Sequence, residues 1–345
     1  MSVPRTYREA GVDVAEAERA VERIARAASA TLNPRVLGGV GGFGALFRFD
    51  PSTHPDPVLV SSTDGVGTKL KVAIELRRHD TIGVDLVHAC LNDILVTGAD
   101  PLFLLDYLAV GELRAEVVDE IVGGVAAACA ANGIPLIGGE TAELPDLVAA
   151  GDYDLAGFVV GVVARADLID GSAVQAGDVL IGLPSSGLHT NGYSLARRVL
   201  PPDTWSKPMP NDVRTIGDTL LEPHRSYLDD LRALRRALRE AGADIAALAH
   251  VTGGGWEGNV PRTLPAGIGV EVDTGSWPVP GIFSLIQSRG DIADEEMVRT
   301  FNLGIGMTAV VPAAAADAAL AAIPDACRIG RVVELPEGEP RVRFA

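Results

Sequence analysis

Glycine runs constrain the fold of this 345-residue chain more than any other feature of its sequence. Three of them, Gly38 to Gly44, Gly65 to Gly67 and Gly253 to Gly255, are too rich in glycine for a helix interior or a central strand. Successive backbone N–H groups in such turns form concave anion sites, because no Cβ blocks the approach of a phosphate. A single run usually marks a tight turn, whereas three runs in one chain favour phosphate binding.

The glycine runs match neither of the two common nucleotide fingerprints. No second glycine is followed by Lys and then by Ser or Thr, which excludes a Walker loop. No Gly-x-Gly-x-x-Gly precedes an acidic residue within a strand–helix–strand unit, so a dinucleotide site has little support. The chain also lacks a His-Glu-x-x-His zinc motif and a Gly-x-Ser-x-Gly hydrolase elbow.

Segments with strand-like and helix-like patterns alternate along the chain. The predicted strands are 58–61, 102–110, 134–137, 155–163, 179–183, 268–272, 304–311 and 328–334, and the predicted helices are 13–29, 81–97, 114–131, 193–200, 225–241, 281–288 and 313–322. This alternation predicts an α/β or α+β fold, and the length fits two domains of ordinary size. The polar stretch 165–178 marks the predicted boundary, which gives an N-terminal domain at 1–168 and a C-terminal domain at 169–345.

Composition narrows the class of protein. The formal net charge of −17 makes nucleic acid and anionic membranes poor partners, since like charges repel, and it is otherwise typical of a soluble protein. Cys90, Cys129 and Cys327 are widely spaced and indicate reduced thiols in a cytoplasmic protein. We see no signal peptide after Met1, and glycine and proline interrupt the longest uncharged run, 121–139, so we expect no transmembrane helix.

Acidic residues next to the glycine runs are candidates for a magnesium site. Asp64 follows the first predicted strand, and Glu140 lies in a Gly-Gly-Glu-Thr turn after another. Asp93 lies near the end of a helix that stops sharply at Gly98. Mg²⁺ prefers carboxylates together with phosphate oxygens and water, which these positions supply. Solvated helix charges and caps remain the alternative, more so for Asp85 than for Asp93.

Small hydroxyl groups, a histidine and an amide are concentrated in one loop that opens a helix, Ser185-Ser-Gly-Leu-His189-Thr-Asn191-Gly-Tyr-Ser194. Such a loop supplies N–H groups, hydroxyl donors and a titratable imidazole in one place. A helix cap with a surface histidine is an equally good interpretation of this segment alone. His250 directly precedes the turn of the third glycine run, and Asp106 in an apolar strand is either a partnered buried acid or a further ligand.

Taken together, these segments resemble the phosphoribosylformylglycinamidine cyclo-ligase family, also called the AIR synthetase family. The resemblance runs from 7–13 to 299–307, and its main segments are Thr63-Asp-Gly-Val-Gly-Thr-Lys69, Asp93-x-x-x-x-Gly98-Ala99-x-Pro101, Gly138-Gly-Glu-Thr-Ala-Glu143, Ser185-Ser-Gly-x-His-x-Asn-Gly-Tyr193 and Thr252-Gly-Gly-Gly255. The chain departs from the family pattern at Ala25, where many relatives carry lysine, and at Leu188 and Gly258.

The resemblance implies an enzyme that uses ATP and Mg²⁺ to convert formylglycinamidine ribonucleotide into aminoimidazole ribonucleotide, ADP and phosphate in purine biosynthesis. It implies a homodimer whose N-terminal domains contribute strands to a shared β-barrel, each beside an α+β C-terminal domain with a mixed sheet. Another ATP-using enzyme of the same superfamily is the alternative, as is a non-catalytic nucleotide-binding module. The position of the first thiol, Cys90, argues against a selenophosphate synthetase, and the Ser-Ser-Gly-x-His segment argues against a thiamine-monophosphate kinase.

The resemblance also implies roles for individual residues. Asp64, Asp93 and Glu140 would bind metal and nucleotide, and the nucleotide would also contact Gly65, Gly67, Thr68, Gly98 and Thr141. The substrate's 5′-phosphate would bind at Gly253, Gly254, Gly255, Ser185 and Ser186, with the ATP phosphates as an alternative ligand of the glycine triplet. His189, Lys69 and Asn191 would be catalytic, with His189 transferring a proton and Lys69 neutralising phosphate charge.

Overall fold

The computed structural model describes residues 14–39, 41–336 and 338–345. The motif expected at 7–13, the start of the first predicted helix and Val40 in the first glycine run lie outside these described residues. The chain divides into two compact units. The N-terminal unit consists of the described residues up to Ile94 together with Asp100–Arg165, and the C-terminal unit consists of Leu95–Ala99 and Ala166–Ala345.

The N-terminal unit has one four-stranded sheet and helices on one face of it. Its helices are α1 (Val14–Ser29), α2 (Leu70–Leu76), α3 (Ile82–Leu95) and α4 (Ala115–Ala131), and its strands are β1 (Pro57–Gly65), β2 (Asp100–Val110), β3 (Leu136–Glu143) and β4 (Tyr153–Ala164). The strand order is β1-β4-β2-β3. β4 is antiparallel to both β1 and β2, whereas β3 is parallel to β2, so the sheet is mixed.

Alternation along the strands gives this sheet two different faces. On β2, Leu104 and Leu108 are fully buried, whereas Phe103, Leu105 and Tyr107, which alternate with the buried residues, are half-buried. The buried face meets α3, because a Cβ at Gly157 of β4 would lie 2.8 Å from the Cys90 sulfur. We call the opposite side the open face.

Two glycines bring α3 and α4 into close contact. A Cβ at Gly83 of α3 would lie 2.3 Å from the carbonyl oxygen of Ile121, and one at Gly124 of α4 would lie 2.4 Å from that of Asp80. Only residues without a side chain allow the two backbones to approach this closely. The contact fixes α3, which carries Asp93, in relation to α4.

The C-terminal unit is built on a six-stranded mixed sheet. Its strands are β5 (Val179–Pro184), β6 (Ala247–His250), β7 (Ile268–Val272), β8 (Ile305–Val311), β9 (Cys327–Glu334) and β10 (Val342–Phe344), in the order β10-β7-β9-β5-β8-β6. β10 runs parallel to β7, and the other paired strands described are antiparallel. Its helices are α5 (Tyr193–Val199), α6 (Ile216–Leu220), α7 (Leu228–Glu240), α8 (Gly255–Asn259), α9 (Gly281–Gly290), α10 (Asp294–Thr300) and α11 (Ala316–Ala322).

Two apolar cores stabilise the C-terminal unit. One contains leucines of α7 and alanines of α11 with residues of β5 and β8, such as Ile181 and Met307. The other surrounds the stacked rings of Trp256 and Trp277 and includes residues of β7 and β9. The predicted mixed α and β content with mixed sheets is therefore confirmed. Among the described residues, no helix combines the length and the apolar character that crossing a membrane requires.

Glycine misled the sequence analysis at β3. The Gly-Gly-Glu-Thr segment was expected to be a turn, but β3 continues through it to Glu143. A Cβ at Gly139 would lie 2.0 Å from the Oδ1 atom of Asp106 on the neighbouring strand, so glycine here makes room for a buried side chain. The strands β6 and β10 and several short helices, including α2 and α10, also escaped prediction because their apolar patterns are too short to recognise.

We expect Gly124→Ala to destabilise the protein by about 1–3 kcal/mol, because the new methyl group must push against the carbonyl oxygen of Asp80. Gly123→Ala in the same helix is the matched control, since nothing lies within 4 Å of its Cβ position. That variant should be neutral or gain up to about 1 kcal/mol. Urea unfolding measures both free energies, and equal values would contradict the close approach of α3 and α4.

Candidate active site

Two of the predicted metal ligands lie close together in the N-terminal unit. Asp64 lies near the end of β1 on the face towards α3, and its Oδ1 accepts the Gly65 N–H at 2.8 Å. Asp93 lies on α3, and its Oδ2 accepts the Ser62 hydroxyl at 3.1 Å. Burial, followed by the charges of Asp64 and Asp93, raises the pKa of the Cys90 thiol to about 12. Both carboxylates are half-buried beside the same residue, which gives the oxygen-rich surroundings that Mg²⁺ prefers.

Glu140 does not belong to this pair of carboxylates. The strand register aligns Asp64 with Gly157, Asp106 and Gly139 in one row across the sheet. Three strand spacings separate the ends of that row, or about 14 Å. Glu140 is the next residue on β3 and therefore points to the open face. Magnesium–oxygen bonds are about 2.1 Å long, so Asp64 and Glu140 of one chain cannot bind the same ion, and the ligand role of each acid stays a prediction.

Lys69 lies in the interior of the N-terminal unit. Its Nζ lies 2.8 Å from Oδ1 of Asp85 on α3, and both side chains are 0% exposed. A charge in the interior requires a partner, and this carboxylate is a partner of Lys69. The structure thus gives Lys69 an internal ion pair, and its role in neutralising a bound phosphate stays a prediction. Gly67 and Thr68, just before it, are exposed and accessible to a ligand.

Gly98 has a structural explanation of its own. It follows α3 with φ of +81°, and a Cβ there would lie 3.0 Å from the carbonyl oxygen of Asp167. A left-handed residue commonly ends a helix, and glycine adopts that conformation without strain. Its backbone conformation accounts for this glycine without a nucleotide contact.

A cavity of about 580 Å³ lies beside β3, an edge strand of the N-terminal sheet. Its lining comes from α1, the first glycine run, β2 and β3, and it includes Ala25, Phe43, Asp106, Glu140 and Thr141. Burial raises the pKa of Asp106 to about 7. Asp106 is thus a buried acid at the wall of this cavity. Glu140 and Thr141 belong to this cavity.

In the C-terminal unit, Asn302 shapes the loop that the sequence analysis singled out. The Ser185 hydroxyl lies 3.0 Å from Oδ1 of Asn302, which also accepts the Gly304 N–H at 2.8 Å. The amide nitrogen of Asn302 donates to the carbonyl oxygen of Gly187 at 2.9 Å. One buried amide therefore connects the start of the loop to the entry of β8. Only the family resemblance included Asn302, and nothing local marked it as important.

The loop and the third glycine run meet, as the predicted phosphate site requires. A Cβ at Gly253 would lie 3.1 Å from Oδ1 of Asn191. Asn259 holds the turn by donating its amide hydrogens to the carbonyl oxygens of Thr252, Gly253 and Gly255. Gly255 has φ of +57°, and its Cβ position lies 2.1 Å from the Val298 carbonyl oxygen, so glycine is required there for packing. Gly253 is the member of the triplet that faces the loop.

His189 lies at the centre of the loop, but its ring is only 1% exposed. Its Nε2 accepts the Ser186 N–H at 3.2 Å, and its ring stacks on that of His224 with centroids 3.8 Å apart. A neutral imidazole has one lone pair for accepting a proton, and Ser186 already occupies it. The buried ring therefore maintains the shape of its own loop, and its role in proton transfer to or from a ligand stays a prediction.

Two protein-family models match the chain. The AIR synthase related protein, N-terminal domain, matches residues 44–163, and the C-terminal domain of the same name matches 175–343. A phosphoribosylformylglycinamidine cyclo-ligase of Desulfitobacterium hafniense is 53% identical over 306 residues, covering 89% of each chain. The enzyme of that name from Nitrosococcus oceani is 49% identical, covering 99% of this chain and 95% of its own.

The chain belongs to the phosphoribosylformylglycinamidine cyclo-ligase family. The prediction from its motifs is thereby confirmed. A solved structure of the hydrogenase maturation protein HypE in complex with ATP is similar, with a TM-score of 0.63 and 19% identity. The similarity covers 92% of this chain and 88% of the HypE chain. At that identity the likeness concerns the fold alone.

Several residues that shape these cyclo-ligase sites were missed or undervalued in the sequence. For Asp85 the sequence left a solvated helix charge open beside a ligand, yet an acid among the apolar residues of α3 could have signalled a buried partner. His224 was passed over because it merely follows a proline in the sequence. Asn259, which fixes the glycine turn, carries no local signal at all, since its partners are backbone carbonyl oxygens.

Lys69→Met should destabilise the protein by about 3–5 kcal/mol, because it leaves the Asp85 carboxylate buried without its cation. Lys71→Met is the control two residues away. Lys71 pairs with Asp152 at the surface and is 45% exposed, so its loss should cost less than about 1 kcal/mol. Urea unfolding at neutral pH compares the two variants. A Lys69 variant as stable as the Lys71 variant would contradict the structural role of the pair.

Proposed function

We propose that this protein uses ATP to close the imidazole ring of aminoimidazole ribonucleotide from formylglycinamidine ribonucleotide, releasing ADP and phosphate. The observation that carries the proposal is identity of 53% and 49% to cyclo-ligases over 89% and 99% of the chain. The 19% identity to HypE makes a different reaction of the same fold the weaker alternative. The intact glycine runs and carboxylates argue against a non-catalytic module.

The N-terminal unit is proposed to bind the ATP phosphates at Asp64 and Asp93. Both side chains offer carboxylate oxygens, and the exposed backbone of Gly67 and Thr68 follows directly in the chain. Magnesium bound there would neutralise phosphate charge and polarise the phosphoryl oxygens. The presence of ATP in the solved HypE complex supports a nucleotide on this fold. In this proposal the domain 1–168 serves ATP binding and dimerisation.

The C-terminal unit, 169–345 in the predicted division, is proposed to bind the substrate. Asn191 and Gly253 lie side by side, with Ser185 and Ser186 at the start of the same loop. Backbone N–H groups and hydroxyls of this kind suit the 5′-phosphate of the ribonucleotide. The ATP phosphates are the alternative ligand of this turn. The donors at this turn are neutral, whereas the N-terminal site offers carboxylates that suit a metal ion. This difference favours the substrate's 5′-phosphate, which needs no metal, as the ligand of the turn.

The proposed reaction has two steps. The formyl oxygen of the substrate attacks the γ-phosphorus of ATP, and ADP leaves. The amidine nitrogen then attacks the activated carbon, the carbon–oxygen bond breaks, and phosphate departs with the former formyl oxygen as the nitrogen loses its proton. Holding the reacting groups in a productive geometry removes much of the entropic barrier of such steps.

Asp93→Asn should lower kcat/KM for ring closure by roughly 100-fold or more, because an amide binds magnesium and its phosphates far more weakly than a carboxylate. The amide still accepts the Ser62 hydroxyl, so the fold should persist. Asp119→Asn on α4, at a position 52% exposed, is the control and should keep full activity. ADP release is measured across a magnesium titration. An Asp93 variant with an unchanged magnesium dependence would refute the ligand role.

The open face of the N-terminal sheet supports the proposed homodimer. It carries Leu59, which is 67% exposed, and Phe158, which is 44% exposed, together with the half-buried Phe103 and Leu105. A contiguous apolar surface of this kind is unfavourable in water and is usually covered by a partner. We propose that two copies pack these faces together into a shared β-barrel. All three thiols are free, which fits the reducing conditions of the cytoplasm, and we propose that location.

Phe158→Asp should convert the dimer into monomers, because it introduces a charge into the centre of the packed faces. Val213→Asp is the control, since Val213 is 100% exposed in the C-terminal unit and lies outside that face. Light scattering after size exclusion gives the mass of each variant at several concentrations. A wild-type chain that remains monomeric would reject the dimer, and a dimeric Phe158 variant would reject this face.

A further inference from the structure

Three buried imidazoles form a cluster in the C-terminal unit, and the proposed reaction does not use them directly. His189 and His224 are each 1% exposed, and His250 is 5% exposed. The Nε2 atoms of His224 and His250 are 3.1 Å apart, while the rings of His189 and His224 are stacked with an interplanar angle of 23°. The three residues come from the loop after β5, the segment before α7 and the end of β6.

The geometry of this histidine cluster argues against a shared metal ion. Two imidazoles on one tetrahedral ion, with bonds of about 2.1 Å, have ring centroids about 5 Å apart. His224 and His250 meet that condition at 5.2 Å, but His189 and His224 are too close at 3.8 Å. His189 also already uses its Nε2 as an acceptor for the Ser186 N–H. The contacts are instead two linked pairs, because His189 stacks on His224 and His224 hydrogen-bonds to His250.

The Nε2 atoms of His224 and His250 are joined by a hydrogen bond. One Nε2 must carry a hydrogen, and the other must offer its lone pair. Burial strengthens such a bond and makes its loss costly. His250 ends β6 and lies two residues before Thr252. Holding its ring therefore holds the start of the glycine turn.

The ring of His189 fits a slot that β8 leaves open. A Cβ at Gly306 would lie 2.5 Å from Cε1 of His189, so a side chain there would displace the ring. Gly306 also accepts the Val251 N–H at 2.9 Å, one residue from His250. Tyr227 closes another side and donates its hydroxyl to the Pro184 carbonyl oxygen at 2.8 Å. The loop and the glycine turn thus share β8 and the histidine cluster as common supports.

We propose that His224 and His250 are positioning residues that join the loop Ser185–Tyr193 to the turn Thr252–Gly255 through His189. The stacking of His224 on His189 fixes the loop, and its hydrogen bond to His250 fixes the turn. His224 therefore sets the distance between the loop and the turn. The substrate part of this inference rests on the proposed function, because Asn191 and Gly253 are the groups held together for the 5′-phosphate. Neither His224 nor His250 touches the substrate in this role.

Two substitutions at His224 separate its contacts. Phenylalanine keeps a flat ring for His189 but cannot hydrogen-bond to His250, whereas glutamine keeps a donor and an acceptor near the position of Nε2. His224→Phe should raise KM for formylglycinamidine ribonucleotide roughly tenfold, the effect expected from one buried hydrogen bond. KM for ATP and kcat should change less than about twofold. His224→Gln should recover most of the loss.

Hydrogen exchange supplies a readout that does not depend on activity. In His224→Phe, amides of the loop and of the glycine turn should exchange faster together, and the N-terminal unit should not change. His79→Phe is the matched control, because His79 is a buried histidine that contacts the Tyr153 hydroxyl at 2.9 Å in the N-terminal unit. It should alter neither segment nor KM for the ribonucleotide.

The two measurements separate the coupling from the proposed function. Faster exchange in only one segment, or in neither, would overturn the coupling. Faster exchange in both with an unchanged KM would keep the coupling and reject the substrate-phosphate site. A lower kcat together with equal increases in KM for ATP and in KM for the ribonucleotide would overturn a positioning role. Such a result would indicate general unfolding of the unit.

Discussion

The buried ion pair of Lys69 and Asp85 is the contact on which the N-terminal unit depends. It connects the short turn after β1 to the first helical turn of α3. Neither charge can lose its partner in the interior without a large cost, so the turn cannot move away from α3. Asp64 lies just before that turn, and Asp93 lies about two helical turns along α3 from Asp85. The Lys69–Asp85 pair therefore sets the spacing of Asp64 and Asp93, whose carboxylates are exposed enough to meet a ligand.

In the C-terminal unit, uncharged groups hold the corresponding segments in place. Asn302 and Asn259 satisfy backbone groups of the loop and of the glycine turn, and the histidine cluster lies between the two segments. Amides and neutral imidazoles cost less to bury than ions, because their hydrogen bonds can be matched one by one. This difference fits the proposed division of labour, in which charged ligands are held by carboxylates and metal at one site and by neutral donors at the other.

Much of the architecture could be predicted from the sequence. Long apolar segments such as those of α4 and β4 were recognised with nearly their observed limits, and the glycine runs stood out by composition. The features that could not be predicted share one cause. Gly139 was expected in a turn, whereas it leaves room for Asp106, and nothing in the local sequence shows the internal partners of Lys69 and His189. A local pattern gives the chemistry of a residue but does not say which neighbour the fold supplies.

The sequence by itself determined the family and the mixed α and β content, because those follow from local periodicity and from motifs in a fixed order. Only the tertiary structure decided which polar residues lie close together and which are buried against partners. Asp64 and Asp93 come together because β1 packs over α3, whereas Glu140 is separated from them by strand register and by the alternation of faces. His189 and Lys69 find partners inside their units, since burial makes an internal hydrogen bond or ion pair obligatory.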